Sequence, residues 1–169
     1  MVNVLKNKSK NSPSPVKLSS PHLLAIEGMQ KSEIEELLNR ADHFANLNKH
    51  SNTKILSGYV VLNVFFENST RTRVSFELAA RRLGAEVINI SLINSSIKKG
   101  ESLLDTASTL NAMRPDLLIV RHPHSGAPLL FADYLNCSII NAGDGRHEHP
   151  TQALLDALTI RRRVGFLEG

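Results

Sequence analysis

Cys137 is the only cysteine in the chain. It has no internal disulfide partner and lies in an apolar run, so it reads as a core thiol. Tryptophan is absent and aromatics make up 5% of the residues, so the core must be aliphatic. No stretch approaches the ~18 consecutive apolar residues of a membrane-spanning helix. The N-terminus lacks the apolar segment of a secretory signal. These absences lead to the expectation of a soluble, cytoplasmic protein with no membrane partner. Acidic residues are missing from the first twenty positions, which carry Lys6, Lys8, Lys10 and Lys17. The net charge of +4 therefore belongs to that tail, and the remainder balances 16 basic against 16 acidic residues. There is no basic face with interleaved aromatics, so nucleic acid is not an expected partner.

What is present suffices for one good core: 169 residues, 41% of them hydrophobic. Residues 1–20, rich in Lys, Asn, Ser and Pro, read as a flexible basic tail. Order is expected from about residue 21, with Leu23, Leu24 and Ile26. Ser32 followed by Glu35 forms a capping box. It opens a helix to about Asn48, with Ile34, Leu37, Leu38, Ala41 and Ala45 on one stripe. From Tyr59 the pattern alternates. Strands are expected at 59–66, 86–91, 117–120 and 138–141. Helices are expected over 70–83, from Glu101 to Met113, from Gly126 (after Ser125) to Leu135, and from Pro150 to about Val164. Unalternating apolar strands separated by helices imply an α/β fold, a parallel sheet with helices on both faces. The domain then spans 21–165, and 166–169 would begin a linker.

The stretch Ser69-Thr70-Arg71-Thr72-Arg73 joins the first strand to its helix. Ser69 is a candidate N-cap, with a hydroxyl able to accept from a free backbone N–H. The two arginines stand at the positive end of the helix macrodipole, where each costs about 0.3–1 kcal/mol. Free N–H groups, hydroxyls and guanidinium forks together match an anion such as phosphate.

Ligands of open parallel sheets bind outside the carboxyl ends of the strands. There the loops supply Glu67, Asn68 and Ser69 to Arg73; then Ser95, Lys98 and Lys99; then Arg121, His122 and His124. The last loop adds Asp144, Arg146, His147, His149, Thr151 and Gln152. Cations, imidazoles and hydroxyls on one edge suit a small, doubly charged ligand with a polarised carbonyl or phosphoryl group. The histidine spacings at 122, 124, 147 and 149 fit no closed structural zinc site, and no metal is expected. Asp144 reads as a loop brace, and Arg161 to Arg163 as a solvated helix end favoured by the dipole.

Taken together, these segments resemble the aspartate/ornithine carbamoyltransferase family. The resemblance rests on Phe65-Phe66-Glu67-Asn68-Ser69-Thr70-Arg71-Thr72-Arg73 with Ser75-Phe76-Glu77, and on Lys98-Lys99-Gly100-Glu101. It continues through Arg121-His122-Pro123 and Asn141-Ala142-Gly143-Asp144-Gly145 to His149-Pro150-Thr151-Gln152. Within the family, His-Pro-Thr-Gln resembles the aspartate-type form; ornithine-type members usually carry cysteine at its third position.

The resemblance implies transfer of the carbamoyl group of carbamoyl phosphate to the amine of L-aspartate, an early step of pyrimidine synthesis, without a cofactor. It implies that Ser69, Thr70, Arg71 and Thr72 hold the phosphate, that Thr72, Arg121 and His149 polarise the carbamoyl oxygen, and that Gln152 orients the carbamoyl amino group. It further implies a homotrimer with shared active sites, in which Ser95 and Lys99 serve the neighbouring subunit, with regulatory subunits an open addition. The second, aspartate-binding domain of the family is expected to lie beyond Gly169. The alternatives are a largely non-catalytic carbamoyl-phosphate-binding fragment, an anion-binding or oligomerisation module, or an ornithine-type transferase.

Overall fold

The computed structural model describes residues 18–46, 54–92 and 102–165. Among them, four parallel strands form one sheet: β1 (Val60–Phe65), β2 (Glu86–Ser91), β3 (Leu117–His122) and β4 (Ser138–Asp144). Their order is β2-β1-β3-β4. The helices are α1 (Lys31–Asn46), α2 (Thr70–Arg82), α3 (Leu103–Ala112), α4 (Ala127–Tyr134) and α5 (Pro150–Val164). None is long and apolar enough to cross a membrane.

The central strands β1 and β3 are mainly apolar because both of their faces are covered. Leu62, Val64, Leu118, Val120 and Ile139 turn to one face, where they meet Ala107 and Leu110 of α3 and Phe131 of α4. Val61, Phe65 and Ile119 turn to the other, with Ala80 of α2, Ala85 and Ala142. β2 is the edge strand and is largely exposed. Phe131 is fully buried and lies 6.1 Å, ring to ring, from Phe66. Phe131→Ala is expected to lower the unfolding free energy by about 3–5 kcal/mol. Urea titration checks this, and a loss under 1 kcal/mol would contradict the assigned core.

Several local expectations are corrected. The capping box at Ser32 does not form, since α1 already begins at Lys31. Glu33 does the capping instead: its carboxylate accepts the N–H of Gln30 at 3.0 Å and the N–H of Ser19. The same side-chain-to-backbone reach works two residues earlier, and Ser19 adds a second donor. α3 starts at Leu103 on a Ser102/Asp105 capping box rather than at Glu101, which lies outside the described residues. Gly126, not Ser125, caps α4, with φ 84°. Its N–H donates to Asp144 Oδ2 at 2.8 Å.

β3 continues to His122 and β4 to Asp144, beyond the expected ends at 120 and 141. The added residues of β4 pair with β3, Asp144 against His122, while the N-terminal segment covers the outer edge at 139–141. Leu23 bridges Ile140 in parallel, with Leu23 N–H on Ile139 O at 2.8 Å and Asn141 N–H on Leu23 O at 2.9 Å. Backbone that would otherwise be a free edge is thereby paired. Arg161 and Arg162 are not simply solvated: they donate to Asn39 Oδ1 (2.9 Å) and Asp42 Oδ1 (2.7 Å) of α1. At such exposed positions each pair is worth only about 0–1 kcal/mol.

Candidate functional site

The chain leaves β1 for β2 on one side and returns to β3 on the other. The strand order therefore reverses between β1 and β3, and a crevice opens at their carboxyl ends. The β1 end delivers Glu67 and the turn into α2. The β3 end delivers Arg121 and His122. β4, beside β3, delivers the loop that leads through His149 into α5.

Ser69 occupies the N-cap of α2, as expected, but its hydroxyl caps no backbone N–H. It donates to Thr72 Oγ1 at 2.9 Å instead. No acidic residue stands in the first turn of α2. His149 is the N-cap of α5, again without a side-chain cap bond, and Pro150 follows it. Two helix N-termini thus border one cleft of about 560 Å³. Its walls include Arg71, Thr72, Phe76, His149, Thr151 and Gln152. The positive ends of two macrodipoles and the Arg71 guanidinium make this cleft attractive to an anion.

Arg121 approaches from behind His149. Its Nε lies 2.5 Å from Glu67 Oε1, and its Nη1 donates to Ala142 O at 3.0 Å. The two bonds use two of the five guanidinium N–H donors. Gly143 lets Arg121 and His149 come together. A Cβ there would lie 2.8 Å from Arg121 Nη1 and 3.4 Å from His149 Cδ2. Glu67 and Gly143 were visible in the sequence only as neighbours of the expected site residues. No periodicity or charge pattern marks the contacts they make.

Burial lowers the pKa of His149, and the charge of Arg121 lowers it further, so the ring is neutral at pH 7. The Thr151 hydroxyl lies 3.3 Å from its Nδ1. If that hydroxyl donates, the proton sits on Nε2, and a neutral Nε2–H can donate to a carbonyl oxygen. Gln152 donates from Nε2 to Asp156 Oδ1 at 2.9 Å. His122 is likewise held neutral, chiefly by burial. Its Nδ1 accepts the His124 N–H at 3.0 Å, and its ring packs edge-on against Phe66 at 4.6 Å.

Both histidines favour the neutral form in the native state, so the unfolded chain binds more protons near the ordinary histidine value of 6.5. Stability is therefore expected to hold above pH 6.5 and to fall as the pH drops below it. Urea midpoints at pH 7.5 and 5.5 check this, and His122→Asn should reduce the slope. Equal midpoints at both pH values would contradict the assignment.

Asp144 braces the loop. It is 2% exposed. Burial pushes its carboxyl up, but the Gly126 N–H, the Asn141 amide and the Glu148 N–H outweigh that and hold it below the usual range. Asn141, also buried, donates to Leu24 O and to Asp144 Oδ1, each at 2.9 Å. Glu148 accepts the N–H of Ile26 at 2.6 Å and that of Glu27 at 3.2 Å. The chain just before His149 is thus tied to residues 24–27. Among the described residues, Glu27, His147 and Glu148 place possible metal ligands within 4.8 Å of one another. Glu148 is engaged by those backbone donors, and His147 Nδ1 lies 3.2 Å from Asp144 Oδ2.

Of the expected site residues, Arg71, Thr72, His149 and Gln152 wall the cleft directly. Ser69 joins it through Thr72, and Arg121 through its approach to the Gly143–His149 turn. Thr70 opens α2 beside them. Ser95 and Lys99 lie outside the described residues.

Residues 21–162 match the family model described as the aspartate/ornithine carbamoyltransferase carbamoyl-P binding domain. The chain belongs to the aspartate/ornithine carbamoyltransferase family. The aspartate carbamoyltransferase catalytic subunit of Granulibacter bethesdensis is 63% identical over 151 residues, 88% of this chain and 48% of that protein. That of Rhodospirillum rubrum is 63% identical over 150 residues, 88% of this chain and 47% of that protein. Among solved structures, the M. jannaschii catalytic subunit superposes with TM-score 0.81 at 45% identity, covering 89% of this chain and 49% of that one. Aspartate transcarbamoylase from Trypanosoma cruzi in complex with carbamoyl phosphate gives TM-score 0.82 at 37% identity, covering 93% of this chain and 49% of that one. The expected fold, the N-terminal domain of the carbamoyltransferase family, is the fold observed. The chain spans about half the length of the curated relatives it matches.

Proposed function

We propose that the chain is the carbamoyl-phosphate-binding half of an aspartate carbamoyltransferase. The observation that carries this reading is the meeting of Arg71, Thr72, His149 and Gln152 in one cleft between two helix N-termini. The phosphate sits at the start of α2, on Ser69, Thr70, Arg71 and Thr72. Free N–H groups, hydroxyls and one guanidinium suit a doubly charged oxyanion there. The carbamoyl carbonyl points toward Thr72, Arg121 and the Nε2–H of His149. Negative charge grows on that oxygen as the L-aspartate amine attacks the carbon, and the three donors stabilise it. Gln152 orients the carbamoyl amino group. A C–N bond forms, the C–O bond to phosphate breaks, and the nitrogen gives a proton to the departing phosphate. The products are N-carbamoyl-L-aspartate and phosphate, and the step needs no cofactor.

The aspartate site belongs to the half that the longer relatives carry in addition. Holding two reactants in register supplies about 7–11 kcal/mol of such a barrier. Residues 1–169 supply the carbamoyl phosphate side of that register, and turnover needs both halves. The reading includes a homotrimer in which Ser95 and Lys99 reach the neighbour's cleft, with regulatory subunits as possible further partners, and a cytoplasmic location. Val74 and Leu78, 48% and 45% exposed on α2, support an apolar contact between subunits.

Calorimetric titration of the chain with carbamoyl phosphate tests the binding step. Carbamoyl-aspartate formation after adding the complementary half of a relative such as the Rhodospirillum rubrum protein tests the reaction. Binding without product in a confirmed complex would favour a non-catalytic binding module. Carbamoylation of ornithine in place of aspartate would favour the ornithine-type reading. No binding at millimolar ligand would overturn the proposal.

A further inference from the structure

We propose that Asn63 and Asn89 are a positioning pair that fixes the first turn of α2 over the sheet. Through that turn they would set where Arg71 and Thr72 meet phosphate. The inference rests on the reading that the start of α2 binds the phosphate of carbamoyl phosphate.

The two asparagines are register partners on β1 and β2. Asn63 is fully buried in the middle of an otherwise aliphatic strand. Its Nδ2 donates to Asn89 Oδ1 at 2.8 Å and to the Arg73 carbonyl at 3.0 Å. One turn further along α2, the Glu77 carboxyl is held below its usual range, first by Arg81 and then by the Asn89 side chain. One more turn on, Arg81 donates from Nε to Glu77 Oε1 at 2.9 Å and from Nη2 to Val87 O at 3.4 Å. Positions 73, 77 and 81 therefore form a polar seam along the side of α2 that meets β1 and β2. The helix buries little apolar surface: Ala80 is its one fully buried residue, and Val74 and Leu78 remain exposed.

This arrangement does not favour stability. Asn63 Oδ1 is buried without a hydrogen-bond partner. Leaving a buried carbonyl unpaired costs free energy, whereas an aliphatic residue at that position would match Leu62 and Val64 beside it. An apolar contact, however, is non-directional and lets a helix slide or turn on the sheet. A hydrogen bond to the Arg73 carbonyl fixes both rotation and height. The residues so fixed directly follow Thr72, and both Arg71 and Thr72 wall the cleft.

The test is calorimetric titration of the full chain with carbamoyl phosphate and with inorganic phosphate, with urea midpoints measured in parallel. Asn63→Leu is expected to weaken both ligands equally, by about tenfold to a hundredfold, as an ångström-scale misplacement does. Its urea midpoint should stay level or rise. A purely structural role would lower the midpoint and leave affinity intact. Asn89→Ala lies on the exposed edge strand and should weaken both ligands in the same direction. The double variant should bind no more weakly than Asn63→Leu alone, because the pair acts as a unit. Should Asn63→Leu fail to fold, Asn89→Ala decides: unchanged affinity overturns the proposal. Wild-type binding that survives within twofold in a folded Asn63→Leu overturns it as well. Absence of binding by the wild-type chain overturns the functional reading first, and this inference with it.

Discussion

Arg71→Ala is expected to abolish carbamoyl phosphate binding at submillimolar concentration while the chain melts at an unchanged or slightly higher temperature. Arg71 is exposed and walls the cleft. It stands in the first turn of α2, where a cation is disfavoured by about 0.3–1 kcal/mol. Removing it relieves that cost and empties no core. What it removes is a charged fork aimed at a doubly charged ligand. Losing one partner of such a pair costs about 2–5 kcal/mol, roughly thirtyfold or more in affinity. Calorimetry beside thermal melting separates the two effects. A variant that binds normally would sink the phosphate assignment; one that binds poorly and melts far lower would make Arg71 a structural residue. Arg71→Lys should recover only part of the affinity, since an ammonium cannot grip two oxygens in parallel.

Gly143→Ala is expected to damage the carbamoyl side of the cleft although it adds only one carbon. Two independent costs meet there. Gly143 has φ 115°, a conformation that L side chains rarely adopt. Such strain costs about 1–3 kcal/mol. The new methyl would also sit 2.8 Å from Arg121 Nη1 and 3.2 Å from its Cζ. The Arg121 guanidinium must move at that distance, and it is one of the groups proposed to polarise the carbamoyl oxygen; His149 Cδ2, at 3.4 Å, is left in ordinary contact. Affinity for carbamoyl phosphate is expected to fall about tenfold or more, and turnover in a reconstituted two-half enzyme by about a hundredfold. Inorganic phosphate, which needs only the α2 end, should lose much less. Equal losses for the two ligands would mean that Arg121 and His149 do not meet the carbamoyl group.

The apolar runs at 60–65 and 117–120 were legible because central parallel strands leave little room for polar side chains. The loop from Ser69 to Arg73 was legible because its chemistry is unfavourable unless an anion is near. The last residues of β4 were not. Ala142-Gly143-Asp144 has the composition of a loop, and it is held as strand by pairing with β3 at His122 and by side-chain bonds of Asn141 and Asp144. The underside of α2 was equally hidden. A helix is normally read by its apolar stripe, yet this one meets the sheet through Phe76, Ala80 and the Arg73 carbonyl, and turns Val74 and Leu78 outward. Gly143 and Glu67 could not be singled out, because a close approach between side chains from two strands leaves no local pattern.

The bonds between residues 22–27 and 139–148 span 116 to 122 positions of chain. They set the order in which the molecule can be assembled during synthesis. Residues 22–27 leave the ribosome first and wait for more than a hundred others before any of these partners exists. Pairings of such long sequence separation close last and slowly. A nascent chain stopped near residue 135 would already hold β1, β2 and β3, with Arg71 and Thr72 in place. It would have no β4, no turn at Gly143 and no His149. The two sides of the cleft therefore mature at different times, and the carbonyl-polarising side is finished last.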